Sequence, residues 1–201
     1  MKKVFIPIVF LISLSIILFV VFTKANAKLL SSNEALNIGE EKYLKFLWMV
    51  DGAFNNDRLK EEFTVNDKKL SNDDKVFVCK YKKKNECIGN NFESEFSKLF
   101  SKNIDYSKVY SDGVTYSWIS IKDGEYIFNN LNSCSINRMG INHILKVKKI
   151  LSDKIIYEVE FTNRGANQEM KRSFELILED NEWKINYAFY YDLCGMWYTI
   201  R

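Results

Sequence analysis

Apolar and polar positions alternate most regularly in the C-terminal part of the chain. Residues 144–151 read as one strand, and Ser152-Asp153 turns the chain. Ile155, Tyr157, Val159 and Phe161 then alternate with Ile156, Glu158, Glu160 and Thr162. Beyond a loop at Asn163-Arg164-Gly165, Phe174, Leu176 and Leu178 alternate with Glu175, Ile177 and Glu179. Residues 179–182 make the next turn, and Trp183, Ile185, Tyr187, Phe189 and Tyr191 fall on one face of a final strand. Successive side chains of a strand point to opposite faces. This period of two therefore predicts an antiparallel meander with one buried face and one wet face, the latter carrying Glu158, Glu160, Glu175, Lys184 and Asn186.

Upstream the period lengthens. Ser31, with Glu34 three residues on, offers a capping box, and Leu36, Tyr43, Leu44, Leu47, Trp48 and Val50 recur near 3.6. Gly39 weakens the pattern locally, so Glu40 is an alternative start to the capping box, and Asp51-Gly52 ends the helix. Residues 56–63 fit a short second helix, 66–74 are polar, 76–79 read as a strand and 80–85 as an exposed turn. Asn91 caps a helix whose Phe92, Phe96, Leu99 and Phe100 share a face. From Gly113 the period returns to two: Val114, Tyr116 and Trp118 alternate with Thr115, Ser117 and Ile119. Asp123-Gly124 then turns the chain into a return strand at 125–128, and 129–140 is loop-like. Helices first and an antiparallel sheet last predict an α+β fold, with N-terminal helices packed on a curved antiparallel β-sheet.

The first 27 residues follow a different rule. Lys2 and Lys3 precede an apolar run over residues 4–22, and Ala25-Asn26-Ala27 supplies an A-x-A cleavage pattern. This is the layout of a signal peptide: the lysines stay inside while the apolar run partitions into the bilayer. A run of 19 residues also has the length of a membrane span, so an uncleaved anchor in the inner membrane is the alternative to cleavage. No cysteine lies near the cut, which excludes a lipoprotein anchor. The expected organisation is residues 1–27 as signal peptide and 28–201 as one α+β domain in the periplasm or outside the cell.

That assignment changes the charge and the cysteines. The whole chain holds 29 basic and 26 acidic side chains; without Lys2, Lys3 and Lys24 the remainder has 26 of each. Nucleic-acid binding loses its electrostatic support. Cys79, Cys87, Cys134 and Cys194 form an even set in an oxidising compartment, where disulfides are expected. Of the three possible pairings, Cys79–Cys87 and Cys134–Cys194 are preferred. The first closes a short loop and the second ties the middle of the domain to its tail. No C-x-x-C pattern or nearby histidine points to a metal, and no sequence feature implies a cofactor.

Catalytic patterns are sparse. No G-x-S-x-G, H-E-x-x-H, phosphate-binding or dinucleotide-binding loop is present. His143 is the single histidine, and a base near neutral pH is useful in a pocket, but no partner is evident in sequence; loop packing explains it as well. Asp105, Asp112 and Asp123 surround the middle aromatic strand, where turn and cap duty accounts for them. Trp118, Tyr116, Tyr187 and Tyr191 are the candidates, with His143, for lining a ligand pocket, the competing explanation being core packing. Lys80-Tyr81-Lys82-Lys83-Lys84 is the one basic run. It fits either a solvated hairpin tip or a contact with an anionic surface.

The stretch Phe174-Glu175-Leu176-Ile177-Leu178-Glu179-Asp180-Asn181-Glu182-Trp183-Lys184-Ile185 resembles the closing hairpin of the NTF2-like (cystatin-like cone) superfamily, in which an acidic turn is followed by Trp, a basic residue and Ile. The resemblance covers about residues 32–192 and is nearest to small exported bacterial domains. It implies a sheet curled around helices with room for a pocket at the wide end. It also implies a choice among functions: a non-enzymatic binding or interaction module of the cell envelope, a periplasmic component of a secretion or conjugation assembly, or a small isomerase or hydrolase. The expected partner is an envelope protein or a small ligand. The membrane is contacted through the N-terminal segment alone.

Overall fold

The computed structural model describes residues 30–49, 64–71, 80–83, 86–89, 92–105, 107–111, 113–117, 119–122, 125–128, 142–163, 168–191 and 197–201. The chain divides into two units, Met1–Leu30 and Ser31–Arg201. All of the first but Leu30 lies outside the described residues, as do the expected leader and the expected helix at 56–63. The second unit contains, in order, α1 (Ser32–Leu47), β1 (Thr64–Val65), β2 (Lys80–Lys83), β3 (Glu86–Gly89), α2 (Phe92–Leu99), β4 (Lys108–Ser111), β5 (Val114–Ser117), β6 (Ile119–Lys122), β7 (Glu125–Phe128), β8 (Asn142–Ile150), β9 (Lys154–Asn163), β10 (Gln168–Glu179), β11 (Glu182–Tyr191) and β12 (Trp197–Ile200). It is α+β, with a curved eight-stranded sheet ordered β1-β8-β9-β10-β11-β12-β4-β5 and a four-stranded sheet ordered β2-β3-β7-β6.

Helix α1 begins where the capping box places it. Ser31 Oγ accepts from Glu34 N at 3.2 Å, and the Glu34 carboxylate accepts from Ser31 N at 2.8 Å, so two end donors are satisfied. Of the two expected starts, the helix takes the capping box and not Glu40. It runs through Gly39 because Gly39 is where the helix meets the sheet. A Cβ built there would stand 2.4 Å from Tyr157 Cε1 and 2.9 Å from Leu145 Cδ2. The glycine sacrifices propensity for a close approach that no other residue permits.

The meander β8–β9–β10–β11 is the predicted one. Ile155, Tyr157, Val159 and Phe161 of β9 are buried, as are Phe174 and Leu176 of β10, which pair with Tyr157 and Ile155 on the same face of the sheet. Tyr43 of α1 lies 5.0 Å from the Phe174 ring, and Phe46 meets Phe100 edge-on at 6.2 Å. Phe96 stacks on Phe100 at 5.3 Å. Burying each such ring contributes roughly 1.5–3 kcal/mol; the Tyr43–Phe174 pair ties α1 to the sheet, and the Phe46–Phe100 and Phe96–Phe100 pairs tie α1 to α2. On the wet face Glu160 sits between Lys146 and Lys171, each 2.6 Å away, and Glu158 pairs with Lys148.

Four features differ from expectation. The sheet is mixed, not purely antiparallel, because Thr64 and Val65 pair in parallel with Asn142 and His143. The C-terminal residues 197–200 are a strand inserted between β11 and β4, although they lay outside the resemblance. Lys80–Lys83 is a strand rather than an exposed turn, paired antiparallel with Glu86–Gly89. Finally, β11 carries a bulge: Leu176 faces Ile185 but Glu175 faces Tyr187, so Asn186 is an extra residue. The extra residue breaks the alternation. Tyr187 comes opposite Glu175, and burial falls on Ala188 and Phe189 in succession.

Candidate functional site

Two of the buried polar residues that the structure describes, Glu40 and His143, lie where α1, β1 and β8 meet. Their foundation is a two-residue turn after β1. Asn66 and Asp67 have φ of +49° and +64°, and Val65 and Lys68 exchange backbone hydrogen bonds of 3.0 and 2.9 Å around them. Positive φ at both central positions defines the turn that suits Asn-Asp. The turn holds the Asn66 side chain over β8. Its amide donates to Leu145 O at 3.0 Å and its carbonyl accepts from Leu145 N at 3.0 Å. Asn66 N donates to His143 O at 2.9 Å. One side chain thus continues the sheet ladder past the end of a two-residue strand.

The remaining amide hydrogen of Asn66 goes to Glu40 Oε1 at 2.7 Å. Glu40 is 3% exposed. Its other oxygen pairs with the Lys68 ammonium, which also donates to Asn37 Oδ1 at 2.9 Å. A buried carboxylate needs partners on both oxygens, and the turn supplies both. One turn further along α1, Tyr43 Oη and His143 Nδ1 are 3.1 Å apart and share a hydrogen bond. His143 is 2% exposed and stacks on Phe161 at 5.4 Å. Nearby, Tyr157 Oη donates to Ala35 O at 2.7 Å, and burial pushes this phenol well above its ordinary range. The arrangement binds helix, turn and strand to one another, with the exposed Lys68 at its edge.

The sequence candidates are distributed differently. His143 is brought to Tyr43 and Phe161, neither of which sequence reading proposed for a site. Tyr116 stands half-exposed on β5 opposite Val109, and five strands lie between β8 and β5 in the sheet order. Tyr187 is half-exposed on β11. Tyr191 pairs through its backbone with Trp197, and Trp118 lies outside the described residues. Asp105 has a local role. Lys108 and Ser107 beside it hold its carboxyl below the ordinary range, while Asp112 and Asp123 lie outside the described residues. Cys79, Cys134 and Cys194 also lie outside them, and Cys87 faces Tyr81 in the β2–β3 pairing.

Glu40, Asn66 and Lys68 were missed in sequence. Their one legible signal is the dipeptide Asn66-Asp67, a turn former that had been grouped with a polar stretch. Among the described residues no group of three His, Cys, Asp or Glu side chains is placed to hold a metal ion. No described helix is long and apolar enough to cross a membrane. Compared with known proteins, the chain matches no family model and no curated protein.

Proposed function

We propose that this protein is an exported, non-enzymatic interaction module of the bacterial cell envelope, built as an NTF2-like cone. The N-terminal segment carries it to the membrane, where it is removed or retained as an anchor at residues 4–22. The domain then binds an envelope protein or a small ligand. The observation that carries the reading is the use of the polar groups around buried Glu40 and His143. Glu40, Asn66, Lys68, Tyr43 and His143 are engaged in joining α1 to β1 and β8, as in a rigid scaffold. The cone reading draws its support from the closing hairpin's resemblance and from the α+β order with a curved sheet, against which Tyr43 of α1 packs on Phe174.

The test is fractionation of the producing cells followed by N-terminal sequencing and chemical cross-linking of the envelope fraction. Export predicts recovery from that fraction, with a mature chain starting at Lys28 or an intact chain held in the membrane. The module reading further predicts a specific adduct. Recovery from the cytosol, or an envelope protein that remains a solitary monomer without ligand, would overturn it.

A further inference from the structure

The eight-stranded sheet ends at β8 in all but two residues. β1 covers the outer edge of β8 only with Thr64, opposite Asn142, and Val65, opposite His143. The chain then turns away at Asn66-Asp67, and the Asn66 side chain takes the next rung alone, bonded to Leu145 O and Leu145 N at 3.0 Å each. Among the described residues no strand pairs with this edge from Lys146 onward. The composition of the edge makes it a hazard. Ile144, Leu145, Val147, Ile150 and Leu151 lie within one ten-residue stretch, and Ile144 and Leu151 are each 37% exposed. Free N–H and C=O groups along such a strand are a template for the same strand of a second molecule.

Three features of the same stretch oppose that pairing. The first is the Asn66 amide, which occupies both backbone groups of Leu145 with a side chain that cannot continue as a strand. The second is a bulge. Val147 faces Tyr157 and Lys149 faces Ile156, so Lys148 is an extra residue, and a bulged edge presents no even row of donors and acceptors. The third is the side chains. Lys146, Lys148 and Lys149 are exposed and make up three of the five residues from 146 to 150, so pairing β8 with its own copy sets lysine against lysine. Lys146 and Lys148 reach back to Glu160 and Glu158 of β9 at 2.6 and 3.3 Å, which matches part of their charge within the chain. The amide and the bulge act without charge.

We propose that the Asn66 turn and the lysine-bearing bulge of β8 form a stop that keeps the sheet from continuing into a second copy of this chain. The stop is independent of the interaction-module reading: it concerns the edge that the chain keeps closed to itself, whatever the domain binds elsewhere.

The test removes the stop from the full chain, purified from the producing cells, and follows self-association by sedimentation over a concentration series. The main variant combines deletion of Lys148 with Lys149→Thr. Val147 and Lys149 already face successive residues of β9, so the deletion leaves the register in place. The variant should self-associate about tenfold more tightly than the parent, with slowed amide exchange confined to a peptide spanning 144–151. Lys148→Thr/Lys149→Thr keeps the backbone unchanged and should show a smaller rise, about threefold; it decides the matter if the deletion does not fold. Lys98→Gln/Lys102→Gln removes two charges away from this edge and should behave as the parent. Edge variants that sediment as the parent does, association without protection of 144–151, or equal association of the Lys98/Lys102 variant would each overturn the proposal. So would a parent protein already paired through 144–151.

Discussion

Replacing Gly39 by alanine sets helix propensity directly against packing. In an exposed helix the change stabilises by about 1 kcal/mol, because glycine loses more backbone entropy on folding. Here the new methyl would lie 2.4 Å from Tyr157 Cε1, 2.6 Å from Tyr157 Cζ and 2.9 Å from Leu145 Cδ2. Carbon atoms pack at roughly 3.5–4.0 Å, so helix and ring must separate by about 1 Å. The ring has little freedom to move. It is fully buried, its hydroxyl is bound to Ala35 O one turn earlier in the same helix, and Phe174 lies 5.6 Å away. Overpacking costs about 1–3 kcal/mol, and a strained or lost buried hydrogen bond adds about 1–2 kcal/mol. Packing outweighs propensity, and the net expectation is a loss of about 2–3 kcal/mol. For a chain of this size that is a fall in Tm of about 4–12 °C. Urea unfolding followed by circular dichroism measures it as a lower midpoint at unchanged slope. The double variant Gly39→Ala/Tyr157→Leu should lose less than the sum of its parts, because the smaller side chain relieves the clash. A Gly39→Ala protein as stable as the parent would refute the close seating of α1 on β8 and β9.

The Asn66 turn should be as sensitive. Asn66→Ala removes three side-chain hydrogen bonds and leaves a non-glycine, non-asparagine residue at positive φ, for an expected loss of about 3 kcal/mol in urea unfolding; Asn66→Gly should recover about 1 kcal/mol of it. Glu160 is held down to about 2 by hydrogen bonds from Lys146 and Lys171. Because its folded value lies below the unfolded one, its contribution is present above pH of about 4.5 and fades as the pH falls toward 2; a carboxyl carbon-13 titration that finds Glu160 at an ordinary value would contradict the ladder. Reduction should lower Tm if Cys79–Cys87 and Cys134–Cys194 are bonded, each bridge contributing about 2–4 kcal/mol, whereas identical melts with and without reductant exclude both.

Elements defined by local pattern were legible in the sequence, and those defined by long-range partners were not. The meander from Ile155 to Ile185 showed itself because a half-buried strand must alternate, and the Ser31–Glu34 box because a helix end must satisfy its own donors. The bulge at Asn186 left no such trace: an extra residue reveals itself only against the strand opposite, so Tyr187 was assigned to the wrong face. Residues 197–200 carry no turn or period that announces a strand; β11 and β4 make them one by supplying hydrogen-bond partners on both sides.

The polar cluster shows the same division. Sequence singled out His143 by its chemistry and could not name Tyr43, a hundred positions away, as its partner. Glu40 looked like one more solvated charge on a helix, since its burial depends on Asn66 and Lys68 arriving from a separate turn. Gly39 looked like a helix breaker for a related reason: local propensity counts its cost, whereas the contact with Tyr157 that demands it exists only in the folded chain. The sequence by itself determined which segments form helix or strand and which side of each is apolar. The tertiary structure decided which charges are buried, which glycine is required and which strands are neighbours, because each of these is set by atoms distant along the chain.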